Sequence, residues 1–370
     1  MSDSNRPADS VGPRAGISRR GALSAGIGVV AAGAAASVLG AGGGLAEAAE
    51  RGDTAGAGHV GGPARSITVS PIVLPAPGRP VPLEVRVTAP VTGRRLPVIL
   101  FSHGHGQVNF LNSLVGYAPL VDHLAAHGFV VIQPTHLDAT ALGLRDADDV
   151  DAPLYVRSRA EDMSRIIDRL DVIEKAVPRL GRRLDRDNIA VMGHSLGGHT
   201  ASLLLGMRFD DPSQGNRSVS LADRRITVGV LLAAPGRGGD ALHAGVAERY
   251  PALVAPDFST MRAPALVVAG DRDDSATFTD LGPRWRMDPY FLSPGPKSLL
   301  TLYGAEHQLG GICGYDAALT TDENPARVAA VGRLASAYLH TAFDPQDSSW
   351  QAAQDALTTG ADAVGRVEHR

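Results

Sequence analysis

Cysteine is almost missing from this chain. Cys313 is the only one in 370 residues, so no intramolecular disulfide can form. Charge of one sign is missing too: 35 Lys and Arg stand against 39 Asp and Glu, a net charge of -4. That balance gives no electrostatic case for nucleic acid or an anionic membrane as partner. No internal repeat is visible, nor any long low-complexity block after residue 63. Metal-ligand spacing is poor as well. His103 and His105, two apart, are a candidate pair, but no further His, Cys or Asp clusters in their turn, so neither metal nor other cofactor is expected. What remains is a composition of 44% hydrophobic and 20% charged residues, that of a folded domain with a sizeable core.

The first fifty residues read as an address. Ser18-Arg19-Arg20-Gly21-Ala22-Leu23 resembles a twin-arginine export signal, and an uncharged Ala/Gly/Val/Leu stretch runs on to Leu45. Ala46-Glu47-Ala48 is a small-x-small site that a signal peptidase could cut. The stretch is long enough to span a bilayer, yet its alanine and glycine make it weakly hydrophobic, which suits a cleaved signal better than a stable anchor. Twin-arginine substrates fold before export in a reducing compartment, which agrees with the lone cysteine. Residues 1–48 are therefore expected to be the signal, 49–64 a flexible leader, and the mature protein to be secreted.

From residue 65 the pattern alternates strand and helix. Ser66 to Leu74 and Leu83 to Thr88 read as strands joined through Pro75, Pro77, Gly78 and Pro80. Leu96 to Phe101, Phe129 to Gln133, Asn188 to Met192, Ile226 to Ala233, Ala265 to Ala269 and Ser298 to Leu302 are apolar enough to be buried on both faces. Between them, helical spacing marks Leu114 to Ala126, closed by Gly128, then Val156 to Val177, then Pro325 to Leu339. Leu137 to Pro153 and Asp210 to Arg225 read as polar loops. The sum is an α/β domain over 65–343, with a mostly parallel central sheet, helices on both faces and no large cap domain. Residues 344–370 form a tail with a short helix, Trp350 to Leu357.

The chemistry gathers on four turns. Gly193-His194-Ser195-Leu196-Gly197-Gly198 lies between a short strand and Ala201-Ser202-Leu203-Leu204-Leu205, as in a nucleophile elbow, where a serine sits on a strained turn. Its glycines are needed where a Cβ would collide with a neighbouring strand or helix. Such a serine requires a base, an acid to orient the base, and oxyanion donors, with acid and base following the serine in that order. Beyond Ala269 only His307, His340 and His369 are available. His307 follows the last buried strand in Tyr303-Gly304-Ala305-Glu306-His307, where the base belongs. Gly270-Asp271-Arg272-Asp273-Asp274 follows the strand before it. Asp273 occupies the Gly-x-x-Asp position, Asp271 is expected to brace the loop, and Asp274 is the reserve candidate for the acid. Ser102-His103-Gly104-His105-Gly106 offers a turn from which the N–H of His105 and that of Leu196 could face an oxyanion. His194 and His199 are expected to shape the elbow.

Together these motifs resemble the α/β-hydrolases. From about Arg65 to Phe343 the chain is similar to the serine esterases grouped with chlorophyllase, platelet-activating-factor acetylhydrolase and dienelactone-hydrolase-like proteins. The resemblance maps a catalytic triad onto Ser195, Asp273 and His307, and oxyanion donors onto the N–H groups of His105 and Leu196. Dienelactone hydrolases carry cysteine at the elbow and haloalkane dehalogenases aspartate, whereas serine stands here, which favours ester chemistry.

The resemblance implies a carboxylic-ester hydrolase acting on a small-molecule or lipid-like ester. A polyester or lipid hydrolase with an apolar groove, and an inactive hydrolase fold that only binds, are the alternatives. The insertion Ser275 to Lys297 carries Phe278, Trp285, Tyr290 and Phe291, which with Phe110 and Leu111 could line an apolar pocket or simply pack. The expected site is shallow and fairly open. Oligomeric state is not legible.

Overall fold

The central element is a nine-stranded sheet in the order β1-β2-β4-β3-β5-β8-β9-β10-β11. It is seen in a computed structural model that describes residues 63–314, 320–359 and 363–370. The expected signal and most of the leader lie outside the described residues. The described residues all fall in one compact unit.

The strands enter in chain order as follows. β1 (Ser66–Leu74) and β2 (Leu83–Pro90) pair antiparallel through the proline-rich connection. β3 (Leu96–Ser102) runs into α1 (Asn109–Asn112) and α2 (Ala118–Ala126), and β4 (Val130–Pro134) returns beside β3. α3 (Val156–Asp168) and α4 (Leu170–Ala176) precede β5 (Leu184–His194) and α5 (Leu196–Leu204). β6 (Arg208–Asp211) and β7 (Arg217–Ser220) form a small separate hairpin. β8 (Ile226–Leu232), α6 (Ala244–Arg249), β9 (Ala265–Gly270), α7 (Asp288–Leu292) and β10 (Lys297–Leu302) follow. α8 (Pro325–Phe343), α9 (Ser349–Thr359) and β11 (Gly365–His369) end the chain.

β3, β4, β5, β8, β9 and β10 are mutually parallel, so their carboxyl ends share one edge, which is where the four motif turns lie. The pleat divides the core. Val98 and Leu100 face a layer built from α3, α4 and α5, while Ile99 and Phe101 face a layer built from α2, α8 and α9. This is the α/β-hydrolase architecture, mostly parallel and flanked by helices on both faces.

Several local expectations need correction. The helix expected from Leu114 starts only at Ala118, because Tyr117 is left-handed and Gly116 lies against the Phe110 carbonyl, where a Cβ would come within 2.0 Å. The helix expected over 156–177 breaks at Arg169, whose φ of -119° and ψ of 20° leave the helical region. The loop 210–225 contains most of the β6–β7 hairpin. The tail provides an edge strand besides its helix: β11 pairs antiparallel with β10, from Ser298 opposite His369 to Leu302 opposite Gly365.

Candidate active site

Ser195 sits between β5 and α5 at φ 54° and ψ -121°, a conformation that non-glycine residues avoid. The close packing beneath it explains the neighbouring glycines. A Cβ on Gly193 would stand 2.1 Å from the Gly197 carbonyl oxygen, and one on Gly197 would stand 2.0 Å from that of Ser102. The backbone N–H of Ser195 donates to Leu232 of β8 at 2.8 Å, pinning the turn to the sheet. Its hydroxyl is left at the bottom of a cavity, half-buried.

The turns after β9 and β10 converge on that hydroxyl. Ser195 Oγ lies 2.9 Å from His307 Nε2, and His307 Nδ1 lies 2.7 Å from Asp273 Oδ2. A carboxylate can only accept, so Nδ1 carries the proton and Nε2 receives that of the serine. The structure thus brings these three expected residues together, while His340 and His369 lie elsewhere: His340 contacts the His127 carbonyl and His369 lies on β11. Asp274 accepts only from its own loop, at Ala276 N–H. Asp271 accepts from the Gly304 N–H at 2.6 Å, bracing one loop against the other.

Arg286 sets the electrostatics here. It is 3% exposed, and its Nε donates to the same Asp273 Oδ2 at 3.0 Å, while Ser275 donates to Oδ1 at 2.9 Å. Burial opposes charge on Asp273, but Arg286 and His307 outweigh it and hold the carboxyl well below the usual carboxylate range. His307 is pushed below the ordinary imidazole value, first by burial and then by the Arg286 cation, with Asp273 pulling the other way. A neutral imidazole on a serine hydroxyl, backed by a carboxylate, can take up the hydroxyl proton as the oxygen attacks an electrophile.

The turn after β3 closes the other side. His105 and Leu196 line the same cavity as Ser195, and neither backbone N–H has an acceptor among the described residues. Two amides open to one cavity could stabilise an oxyanion there. The turn is held from beneath by a buried polar cluster. Arg159 of α3, fully buried, donates to the His103 carbonyl, to Ser102 Oγ at 3.2 Å, to Thr200 of α5 at 3.0 Å, and to Asp138. Asp138 in turn accepts from His105 Nδ1 at 2.9 Å. Next to it, His136 bridges Ser102 Oγ and Asp162, and Asp162 accepts from Arg79. His103 uses Nδ1 on the Gly104 carbonyl and Nε2 on the His136 N–H, so His103 and His105 serve separate partners. Among the described residues no group of three or more His, Cys, Asp or Glu could hold a metal ion.

The cavity has a volume of about 340 Å³ and is walled by Leu154, Tyr250, Leu253, Phe278 and Trp285. Two of the expected lining aromatics are therefore present. Tyr290, Phe291, Phe110 and Leu111 are not: Leu111 packs against Gly104 and Gly106, and Phe110 is exposed. Instead Tyr250 and Leu253, from the stretch after β8, line the cavity beside Ser195. His307 keeps 32% of its side chain exposed, so the site is reachable from solvent.

Sequence reasoning missed Arg286, Arg159, Asp138 and Tyr117. Only Arg159 carries a local signal. It shares a helix face with Met163 and Ile166 at i, i+4 and i+7, and a cation on an apolar stripe requires a buried partner.

Comparison with known proteins agrees with this geometry. The Chlorophyllase family profile matches residues 63–211, which hold the turn after β3 and the turn at Ser195. Platelet-activating factor acetylhydrolase of Canis lupus familiaris is 31% identical over 30% of this chain and 32% of its own length. The proteins of that name from Bos taurus and Cavia porcellus are 31% and 29% identical over 32% and 31% of their lengths. The chain spans about a third of the length of the curated relatives it matches. Among the described residues no helix is long and apolar enough to cross a membrane. Fold, motif order and matched segments agree: the chain has the α/β-hydrolase fold and is similar over part of its length to chlorophyllase and to platelet-activating factor acetylhydrolase.

Proposed function

We propose that this protein hydrolyses carboxylic esters through a covalent acyl-enzyme. Ser195 attacks the ester carbonyl, and His307 takes the hydroxyl proton and returns it to the leaving alcohol. Asp273 holds the Nδ1–H tautomer and stabilises the imidazolium, and the N–H groups of His105 and Leu196 receive the oxyanion. Water activated by His307 then releases the acid. No step calls for a metal or an organic cofactor.

One observation carries the reading: the unbroken series Ser195 Oγ, His307, Asp273, at 2.9 and 2.7 Å, opening into an apolar cavity. The cavity also bears on the substrate. An apolar cavity of 150 Å³ accommodates a benzene ring, so 340 Å³ suits an acyl or aryl group of roughly twice that size. Short and medium esters are favoured over long-chain lipids. Rates on p-nitrophenyl esters from acetate to palmitate test this, and a rate still rising at palmitate would replace the reading with a lipase-like or polyester-cleaving one.

We propose further that the protein leaves the cell by the twin-arginine route, on the strength of Arg19-Arg20 and the stretch after them. Changing both arginines to lysine should keep the protein inside the cell. Unaltered secretion of that variant would exclude the route.

A further inference from the structure

His194, the residue before the serine, is fully buried and takes no part in the proton transfer described above. Its ring nitrogens are nevertheless both engaged, in a definite sense. Nε2 lies 2.8 Å from the backbone carbonyl oxygen of His307, and a carbonyl only accepts, so Nε2 carries the proton. Burial, reinforced by the neighbouring His307, pushes the His194 imidazole down to about 3, so the ring is neutral and Nδ1 is an acceptor. The Tyr117 hydroxyl lies 3.0 Å from Nδ1. Cys313 does not compete for this position, because its thiol points to Gln308 Oε1 at 2.7 Å and lies 3.7 Å from Nδ1.

Tyr117 carries the chain of bonds onward. Its oxygen accepts the Gly104 backbone N–H at 2.9 Å, and its one proton has two acceptors in reach, the Leu111 carbonyl at 3.0 Å and His194 Nδ1 at 3.0 Å. The contacts form one continuous series: Gly104 N–H donates to the Tyr117 oxygen, that hydroxyl lies against His194 Nδ1, and His194 N–H donates to the carbonyl of His307. Its first member belongs to the oxyanion turn, next to His105. Its last is the backbone of the base itself. The middle member is fixed to Ser195 by the peptide bond.

We propose that Tyr117 and His194 are positioning residues that hold the oxyanion turn and the base loop at a set distance across the elbow. The inference rests on the reading of Ser195 and His307 given above. Misplacement of a reacting group by about 1 Å, caused at a remote residue, lowers rates on the order of 10²-fold. Neither side chain lines the cavity, so substrate affinity should be spared.

The experiment compares Tyr117→Phe, His194→Phe, their combination and His194→Gln, with kcat normalised to serine titrated by a fluorophosphonate. We expect each Phe variant to lose on the order of 10²-fold in kcat with KM within about threefold. The double variant should lose little more than either single one, because both changes break one series. His194→Gln keeps an N–H donor for the His307 carbonyl and should recover much of the rate. Unchanged kcat per titrated site, or losses that multiply independently, would overturn the proposal. If His194→Phe does not fold, Tyr117→Phe and His194→Gln still decide. A wild-type protein that neither labels nor cleaves esters would instead refute the esterase reading.

Discussion

Arg286 Nε and His307 Nδ1 meet on one oxygen, Oδ2 of Asp273, at 3.0 and 2.7 Å. A buried cation thus shares the Asp273 carboxylate with the His307 imidazole. The consequence concerns pH. Arg286 lowers the His307 value, so the neutral base persists into weakly acidic solution, and the acid limb of kcat/KM should fall below the ordinary imidazole value of about 6.5. Burial is the larger cause and stays, but in Arg286→Met the part due to the cation is relieved, and the limb should move upward. A profile that does not move between the two proteins would show that Arg286 leaves the base unaffected.

The three neighbouring aspartates should separate cleanly. Asp273→Asn removes the acceptor of His307 Nδ1–H and should lower kcat on the order of 10⁴-fold. Asp274→Asn changes only a loop contact at Ala276 and should stay within about threefold. Asp271→Ala strands the Gly304 N–H and should reduce stability by about 1–3 kcal/mol, read by urea denaturation. Comparable losses of kcat in the Asn variants of 273 and 274 would contradict the assignment.

Acid should destabilise the fold in a particular window. His103, His136, His194 and His199 are all depressed, chiefly by burial and secondarily by a neighbouring charge, with His194 and His199 down to about 3. Their folded values lie below their unfolded ones, so the unfolded chain binds more protons and stability falls as pH drops through about 6.5. At pH 4.5 each of the two lowest contributes roughly 2–3 kcal/mol of loss. Unfolding midpoints in urea should therefore decline between pH 6.5 and 4.5. The depressed Asp138 and Asp273 act only below the ordinary carboxylate range, so a decline confined to pH below about 4 would point to them and not to the histidines.

Ending the chain at Thr359 should lower the melting temperature by several degrees. It removes β11 and exposes the paired edge of β10 from Ser298 to Leu302, a template for association between copies. Melting and light scattering on the truncated protein check both effects. An unchanged melting temperature would make the strand dispensable.

Most of the sheet was legible because strands such as Leu96 to Phe101 are buried on both faces and announce themselves by unbroken apolarity. The motif turns were legible because their geometry is local: a strained serine needs small neighbours within two residues. β11 was not. Gly365-Arg366-Val367-Glu368-His369 has one apolar side chain, and only pairing with β10 makes it a strand. The hairpin of β6 and β7 is likewise short and polar. Arg286, Arg159 and Tyr117 escaped because the partners Asp273, Thr200 and His194 lie 13, 41 and 77 residues away, and such contacts leave no mark on spacing. Tyr250 and Leu253 were not legible as cavity walls for the same reason: they join Ser195 around the cavity only in three dimensions.

Intact-mass analysis after treatment with a fluorophosphonate decides whether Ser195 is the nucleophile. A single phosphonyl adduct on Ser195 is expected, fast at neutral pH, abolished in Ser195→Ala and strongly slowed in His307→Ala, with hydrolysis of p-nitrophenyl butyrate lost in step. A wild-type protein that cleaves the ester yet carries no adduct on Ser195, or a Ser195→Ala variant that folds and turns over at the wild-type rate, would contradict that role.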